Sequence, residues 1–264
     1  MNTKRTLTGK IALVTGAGRG IGRGIAERLA RDGALVGVHY GHSESAALDV
    51  VAEIRKNGGR AFPVGAELGV PGDADAVFAA FDAGVREQTD TDTAADGADS
   101  LDILVNNAGV SGSGPIGQAV PEVFDRMIAV NAKAPFFLVQ GALPRMRDGG
   151  RVINISSLAS RRAFPESVAY AMSKGALNTM TLCLAKELAG RGITVNTVGP
   201  GFIETDMNAR RRTTPQARAA LAARSAFDRI GMPSDVADVV AFLASDDSRW
   251  VTGQYLDASG GTDL

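Results

Sequence analysis

The chain has 264 residues, 45% of them hydrophobic and 22% charged, which is enough apolar material for a full core and excludes a disordered polymer. A formal net charge of −1 and an isoelectric point near 6.2 give no general attraction to nucleic acid or to an anionic membrane. The single cysteine, Cys183, excludes an internal disulfide and a cysteine-based zinc cluster; within the apolar pattern CLAKELAG it is interpreted as a buried packing residue.

Short apolar and β-branched segments alternate along the chain with longer helical patterns. The strand-like segments are 11–16, 34–40, 61–66, 102–109, 151–156, 193–198 and 254–259. The helical patterns include 20–33, 43–59, 121–146 and 167–192. Strict alternation of strand and helix predicts right-handed βαβ units, and so an α/β, Rossmann-type doubly wound parallel sheet of about seven strands with helices on both faces. We expect one domain over residues 1–264.

Two segments interrupt this alternation. Residues 88–100 are acidic and poor in apolar side chains, and are interpreted as an exposed loop. Residues 201–229 are charged but carry spaced apolar side chains, which predicts a substrate lid. Since the sequence shows no run of about 18 apolar residues and no signal peptide, we expect a cytoplasmic protein with neither membrane nor nucleic-acid partners.

The first predicted strand is followed by the glycine-rich stretch TGAGRGIG and then by a helix. The common G-x-G-x-x-G register fails because Ile21 takes its sixth position, whereas G-x-x-x-G-x-G fits. Gly16, Gly20 and Gly22 would allow a tight turn, close approach to a pyrophosphate and close packing of helix on strand. The stretch predicts a dinucleotide site, with a plain strand-to-helix turn as the alternative.

The end of the second predicted strand lacks the acidic residue that often binds the ribose 2′-hydroxyl of NAD. Tyr40 stands in that place, followed by His42 and Ser43. Together with Arg19 in the glycine loop, these groups suit a 2′-phosphate that a carboxylate would repel, so the sequence favours NADP(H) over NAD(H). His39 is interpreted as a solvated strand-end histidine, and no metal site is expected.

The stretch YAMSK places Tyr170 and Lys174 one helical turn apart, so both side chains reach the same small volume. A phenol has a reference pKa of about 10 and needs a nearby cation to favour its ionised form. An isolated pair of this kind is more often ordinary helix surface, so its meaning depends on the rest of the chain.

Four signals follow one another along the chain: TGAGRGIG at 15–22, NNAG at 106–109, Ser157 thirteen residues before Tyr170 with Lys174 after it, and GPGFIET at 199–205. Together they resemble the short-chain dehydrogenase/reductase family, and in particular its 3-oxoacyl-[acyl-carrier-protein] reductase-like members. The resemblance covers nearly the whole chain, including the ending WVTGQYLDASGG.

The resemblance implies a role for each matching residue. Tyr170 would be the catalytic acid, Lys174 would lower its pKa and bind the nicotinamide ribose, and Ser157 would polarise the substrate carbonyl. Asn131 would complete a proton relay. These roles suit the chemistry, since hydride addition to a carbonyl leaves an alkoxide that needs hydrogen-bond donors and a proton.

The resemblance also implies the cofactor contacts. The candidate cofactor-binding residues are Gly16, Gly18, Arg19, Gly20, Ile21, Gly22, Tyr40, His42, Ser43, Glu67, Leu68, Asn107, Ala108, Gly109, Tyr170, Lys174, Pro200, Gly201, Ile203 and Thr205. Asn106 and Gly109 would lie along the adenine ribose and pyrophosphate, whereas Asp102 and Asn107 are expected to be chiefly structural. Glu67 departs from the aspartate that the family commonly places near the adenine, and Thr205 would bind the carboxamide.

The expected function is NAD(P)-dependent interconversion of a carbonyl and a secondary alcohol by hydride transfer, as an NADPH-dependent reductase of a medium-sized ketone. The expected pocket wall is Val110, Ser111, Leu158, Phe164, Phe202 and residues of the lid. A homotetramer is expected from the family, paired through the helices at 121–146 and 167–190 and packed through the last strand.

Two alternatives remain open. One is reduction of 3-oxoacyl thioesters of acyl carrier protein or coenzyme A, favoured by GPGFIETDM and Arg191 and opposed by the acidic Asp148. The basic run 210–212 would then steer anions, although such a run is more often a solvated face. The other is a non-catalytic NADP-sensing protein, against which the intact Ser157, Tyr170 and Lys174 argue.

Overall fold

The computed structural model describes residues 6–88, 101–112 and 114–264; apart from Gln88, the segment interpreted as an acidic loop lies outside these ranges. Within them, seven strands form one parallel sheet in the order β3-β2-β1-β4-β5-β6-β7. The strands are β1 (Ile11–Val14), β2 (Leu35–Tyr40), β3 (Arg60–Gly65), β4 (Leu101–Asn106), β5 (Met146–Ile155), β6 (Thr194–Pro200) and β7 (Tyr255–Ala258). The predicted doubly wound α/β fold is confirmed.

Helices cover both faces of this sheet. They are α1 (Gly20–Arg31), α2 (Glu44–Lys56), α3 (Asp73–Gln88), α4 (Pro121–Ile128), α5 (Ala134–Ala142), α6 (Val168–Glu187), α7 (Pro215–Ala222) and α8 (Pro233–Ala244). Side chains of α1, α2 and α8 form the core on one face, and those of α3, α5 and α6 form the core on the other. Because both faces are covered, β1, β4 and β6 are buried along their whole length.

The strand order reverses direction between β1 and β4. Ala12 of β1 pairs with Val36 of β2 on one side and with Ile103 of β4 on the other. The connection from β1 to β2 and the connection from β4 to β5 therefore run in opposite directions along the sheet. In open α/β sheets this point leaves a crevice beyond the carboxyl ends of the strands, where ligands bind. The segments that follow β1, β4 and β5 all reach this edge.

The helical pattern at 121–146 is not one helix. It divides into α4, a π-helical turn at Ala129–Lys133 and α5, and its last residue, Met146, already belongs to β5. Pro135 has no amide hydrogen, so a regular ladder cannot continue past it, and a wider turn precedes it. The turn carries Asn131 at its centre.

Cys183 is exposed, so its interpretation as a buried packing residue was wrong. The residues of α6 that face the core are spaced by four positions, at Leu177, Thr181 and Ala185. Cys183 falls on the opposite side of the helix, beside Leu182, which is 62% exposed. Among the helices of the described ranges, none is long and apolar enough to cross a membrane.

Candidate active site

A cleft of about 1170 Å³ lies at the carboxyl edge of the sheet. It extends from the glycine loop after β1 to the segments that follow β4, β5 and β6. Every predicted site residue except Asn106 and Asn131 lines it: Gly16, Gly18, Arg19, Gly20, Ile21, Gly22, Tyr40, His42, Ser43, Glu67, Leu68, Asn107, Ala108, Gly109, Ser157, Tyr170, Lys174, Pro200, Gly201, Ile203 and Thr205. The expected pocket residues Val110, Ser111, Leu158, Phe164 and Phe202 line it too.

Tyr170 and Ser157 meet in the middle part of the cleft, between the glycine loop and the two phenylalanines. Tyr170 lies in the first turn of α6, and Ser157 is the second residue after β5. Burial raises the pKa of the Tyr170 phenol, while a hydrogen bond with Ser157 and the positive charge of Arg211 oppose that rise in part. The phenol is therefore protonated near neutral pH, which is the form that donates a proton to an alkoxide.

Lys174 is buried one helical turn after Tyr170, and its Nζ donates a hydrogen bond to the carbonyl oxygen of Ile155 at 2.8 Å. Burial lowers its pKa to about 8. The pKa of Tyr170 is raised overall. The lowering of this pKa that the resemblance implies for Lys174 is therefore smaller than the increase caused by burial. A Cβ added to Gly109 would lie 3.2 Å from Lys174 Nζ, so the ammonium directly faces the backbone after β4.

Asn131 is fully buried behind the cleft. Its Oδ1 accepts from the Val110 amide at 2.8 Å, and its Nδ2 donates to the Val110 carbonyl at 2.9 Å and to Ser173 Oγ at 2.9 Å. This side chain therefore fixes the backbone of Val110 against α6. The relay role that the resemblance implies for Asn131 stays a prediction.

The glycine loop forms a cradle that leaves no room for a side chain at Gly16 or Gly22. Gly16 has φ +62°, and a Cβ there would lie 2.9 Å from the Cα of Ala108. A Cβ on Gly22 would lie 2.3 Å from the Gly16 carbonyl oxygen and 2.4 Å from Asn107 Nδ2. Arg19 makes no capping hydrogen bond to α1, so the first amides of that helix remain available to an anion. This geometry fits the pyrophosphate of a dinucleotide.

His39 holds the glycine loop through a hydrogen bond to its backbone, a role that the sequence did not reveal. It is buried rather than solvated, so the earlier interpretation was wrong. Its Nδ1 accepts a hydrogen bond from the Gly16 amide at 3.1 Å, which leaves Nε2–H to donate to the Ala66 carbonyl at 3.0 Å. Burial lowers the pKa of His39 to about 4, so the imidazole is neutral. These two hydrogen bonds give the histidine at this position, one residue before the end of β2, a structural role.

The rim of the cleft at the end of β2 carries Arg19, His42 and Ser43. Tyr40 also lines the rim, but a Cβ on Gly65 would lie 2.6 Å from its hydroxyl oxygen, so the phenol packs against β3. Burial and a hydrogen bond to Glu44 raise the pKa of Tyr40. The hydroxyl of Tyr40 thus faces the protein, and the groups of the rim that could contact an anion are Ser43, His42 and Arg19, whose Nη1 lies 3.8 Å from the exposed Asp206 carboxylate.

Glu67 is paired with Arg126, a cleft residue that the sequence analysis missed. Arg126 Nη2 lies 3.1 Å from Glu67 Oε1, and Arg126 Nη1 donates to the Leu68 carbonyl at 2.9 Å. His42 Nε2 lies 3.7 Å from the same Glu67 oxygen. Arg126 comes from α4, far from Glu67 along the chain, so no local motif marked it.

Asn106 does not lie along the cleft, contrary to the expectation from NNAG. It is 2% exposed, and its Nδ2 donates to Asn154 Oδ1 at 2.9 Å inside the sheet. Asn107 holds the glycine loop instead, donating from Nδ2 to the carbonyls of Thr15 at 2.8 Å and Gly16 at 3.1 Å. Alternation along a strand explains the difference, because neighbouring side chains point to opposite sides.

The basic run at 210–212 is not simply a solvated face. Arg212 is 13% exposed and donates to Glu204 Oε1 at 3.1 Å and to the Thr205 carbonyl at 2.7 Å. Glu204 also binds Arg218 of α7 through both of its oxygens, at 2.9 and 2.7 Å. Arg210 and Arg211 line the cleft. Glu204, just after β6, thus holds Arg212 and Arg218 of the segment that follows it.

Strand β7 holds the backbone of Ser157. Tyr255 donates a hydrogen bond to the Ser157 carbonyl at 3.0 Å, and Arg161 lies over the Tyr255 ring at 4.3 Å. The same carbonyl accepts from Ser160 Oγ at 2.6 Å. Gly199 makes room for the tyrosine, since a Cβ there would lie 1.8 Å from its hydroxyl oxygen.

Comparison with known proteins places this fold and cleft among reductases. A family model described as enoyl-(acyl carrier protein) reductase matches residues 16–263. Versicolorin reductase from Emericella nidulans is 41% identical over 266 residues, covering 97% of this chain and 96% of the relative.

Two solved structures are more similar in sequence. The angucycline C-6 ketoreductase LanV with bound NADP is 54% identical with a TM-score of 0.91, and the match covers 98% of this chain and 97% of that one. The promiscuous reductase LugOII, which catalyses ketone reduction at C1 during lugdunomycin biosynthesis, is also 54% identical, with a TM-score of 0.92 and coverage of 98% and 100%. The fold, the cleft and the relatives together define an oxidoreductase. Within that class, the chain belongs to the short-chain dehydrogenase/reductase family.

Proposed function

We propose that the protein uses NADPH to reduce a ketone on a fused-ring aromatic substrate. The observation that carries the proposal is the continuity of the cleft, which joins a phosphate-binding cradle to Ser157, Tyr170 and Lys174 and then to an aromatic wall at Phe164 and Phe202. One cleft with these two ends suits a dinucleotide beside an apolar carbonyl substrate.

The proposed preference for NADPH rests on the charges around the rim. The carboxylate that would hold a 2′-hydroxyl is replaced by Tyr40, and Arg19 and His42 stand within the same lining. Among the described residues, two acidic ones line the same cleft: Glu67 is paired with Arg126, and Asp206 lies 3.8 Å from Arg19 with both side chains largely exposed. LanV was solved with bound NADP, which supports the same choice here.

The proposed mechanism assigns the proton to Tyr170. When bound, reduced nicotinamide supplies a hydride to the substrate carbonyl carbon. Ser157 and Tyr170 donate hydrogen bonds to the carbonyl oxygen, and the protonated Tyr170 phenol delivers its proton there as negative charge develops. The Lys174 ammonium, which keeps its charge below its pKa of about 8, stabilises the phenolate that remains.

The substrate side of the cleft favours flat apolar rings. Phe164 and Phe202 stand edge to face, with ring centroids 6.2 Å apart and an angle of 77° between their planes. Leu158 and Val110 continue this lining. LanV was also solved with NADP and rabelomycin, at 53% identity and a TM-score of 0.89, which supports a ligand of this kind.

Reduction of 3-oxoacyl thioesters is the weaker alternative. Arg191, which suggested it, donates from Nε to Asp148 at 2.8 Å and from Nη1 to the Leu143 carbonyl at 3.0 Å. It is committed to the turn between α5 and β5 and is not a free cation for an acidic carrier. A non-catalytic sensor of NADP is also disfavoured, because it would have no need of the hydrogen bond between Ser157 and Tyr170.

We also propose a single domain with a lid at about 201–229, assembled as a homotetramer. Exposed apolar side chains on α5 and α6 support the assembly: Phe136 is 53% exposed, Met172 55% and Leu182 62%. Sedimentation that finds only a monomer at micromolar concentration would contradict it. The cytoplasmic location stays a prediction.

The first experiment is a titration of the purified protein with NADPH and NADH, followed by nicotinamide absorbance with rabelomycin, simple cyclic ketones and 3-oxoacyl thioesters. We expect tighter binding of NADPH and turnover with the ring ketones. The Tyr170→Phe variant should lose about 10²- to 10⁴-fold in kcat while it still binds NADPH, because the proton donor is removed and the glycine cradle is intact. Preferential turnover of thioesters, or full activity of Tyr170→Phe, would overturn the proposal.

A further inference from the structure

Arg224 lies behind the aromatic wall of the cleft. Its guanidinium carbon is 4.8 Å from the centroid of the Phe202 ring and 5.2 Å from that of the Phe164 ring. Phe164 precedes α6 and Phe202 follows β6, so one cation contacts rings from two separate segments. Both rings line the cleft, whereas Arg224 does not. A cation over aromatic rings is attracted to their faces and restricts their movement.

Asp263 fixes Arg224 in this position. Its Oδ1 accepts from Arg224 Nε at 2.9 Å, and its Oδ2 accepts from Arg224 Nη2, a bidentate pair with defined geometry. Asp263 has φ +56°, a left-handed conformation that is uncommon outside glycine, and its amide donates to the Arg224 carbonyl at 3.0 Å. Side chain and backbone thus both join Asp263 to Arg224.

The surrounding backbone reinforces this pair. The Ala226 amide and the Ser225 hydroxyl both donate to the Gly260 carbonyl at 3.0 Å. A Cβ on Gly201 would lie 2.8 Å from Ser259 Cβ, so the segment after β7 also packs against the base of the proposed lid. The segment 259–263 therefore holds Arg224 in place, although its side chain is 38% exposed.

We propose that Arg224 and Asp263 are specificity-determining residues that hold Phe164 and Phe202 as a fixed corner for a fused-ring substrate. We call these four residues the Arg224 clamp. The inference rests on the proposed reductase function and names what selects its substrate. Two phenylalanine rings that are already fixed edge to face offer a flat ring a preorganised surface. The entropic cost of ordering these two side chains is then not paid on substrate binding. A small flexible ketone gains little from this surface.

The test compares Arg224→Met, Arg224→Lys and Asp263→Asn with the native protein. Calorimetry would measure the Kd of rabelomycin on protein saturated with NADP⁺, and steady-state kinetics would compare rabelomycin with cyclohexanone. Arg224→Met should raise the Kd and KM for rabelomycin about ten-fold, while the KM for cyclohexanone, the Kd of NADP⁺ and kcat change less than about two-fold. Arg224→Lys keeps a cation and should recover part of the loss.

Arg145 provides the matched control. It is bidentate to Asp82, with Nη2 2.7 Å from Oδ2, and it lies 4.7 Å from the centroid of Phe78, away from the cleft. Arg145→Met removes the same kinds of contact and should leave rabelomycin binding unchanged. An Arg224→Met variant with native rabelomycin affinity would overturn the proposal, and so would an equal loss of NADP⁺ affinity.

The clamp and the reductase function fail in different ways. If the native protein binds rabelomycin but oxidises NADPH with no ketone, the proposed function is overturned. The ratio of the rabelomycin Kd of Arg224→Met to that of the native protein would still decide the role of Arg224. Native protein that reduces other ketones with NADPH and does not bind rabelomycin would overturn the clamp and leave NADPH-dependent ketone reduction standing.

Discussion

Replacement of His39 by glutamine should remove a large part of the acid sensitivity of this fold. The imidazole is neutral in the folded protein because burial lowers its pKa to about 4, whereas an exposed histidine in the unfolded chain has a pKa of 6.5. The folded state therefore binds fewer protons than the unfolded state between these two values. Stability is complete above pH 6.5 and is lost as the pH falls towards 4.

The size of the effect follows from the difference in pKa. A shift of 2.5 units, from 6.5 to about 4, corresponds to about 3 kcal/mol in the acid limit, of which roughly 2.5 kcal/mol is reached by pH 4.5. Protonation would also place a hydrogen on Nδ1, directly against the Gly16 amide that it accepts from at 3.1 Å. The glycine cradle would then lose its support at the same pH as the fold loses stability.

Urea unfolding at pH 8, 6.5, 5.5 and 4.5 would measure this. Glutamine can accept from Gly16 and donate to Ala66 without titrating, so His39→Gln should show a shallower fall in unfolding free energy than the native protein. His39→Leu, which leaves the Gly16 amide unpaired, should be less stable at every pH by about 1 to 3 kcal/mol. Parallel curves for the native protein and His39→Gln would refute the reasoning.

Three further predictions concern the cleft. The kcat/KM for ketone reduction should fall as the pH rises through about 8, because Lys174 then loses its charge; a flat profile to pH 10 would contradict this. Gly22→Ala should lower stability by about 1 to 3 kcal/mol in urea unfolding and weaken NADPH binding, whereas Gly18→Ala, whose Cβ would lie 3.5 Å from its nearest protein neighbour, should leave stability unchanged. Arg19→Ala should raise the Kd of NADPH about ten-fold and leave that of NADH unchanged in fluorescence titrations, if the rim binds a 2′-phosphate.

The elements of this fold were readable from the sequence because each depends on local pattern. Buried parallel strands are continuous apolar runs, and the glycine loop stands between a strand and a helix. Ser157, Tyr170 and Lys174 were predicted through the resemblance that four ordered motifs carry, and the helix and the end of β5 bring the three residues together. The break in the helix at 121–146 was foreseeable from Pro135 alone, but its π-helical form was not.

The residues that support the site were not readable, because their partners are distant in the chain. His39 looks like any strand-end histidine until β3 and the glycine loop enclose it. Arg126 gains its meaning from Glu67, and Arg224 from Asp263, 39 residues later. Cys183 was misjudged for a different reason: apolar neighbours on both sides of α6 hide which face meets the core.

The hydrogen bond from Tyr255 to the Ser157 carbonyl joins the outermost strand of the sheet to the centre of the cleft. Only β6 separates the two in the sheet, yet the contact bypasses it through the space that Gly199 leaves open. A displacement of β7 would therefore move a hydrogen-bond donor to the Ser157 carbonyl directly. Because β7 is the edge strand, a second protein molecule that packed against it would contact the strand that positions the Ser157 backbone.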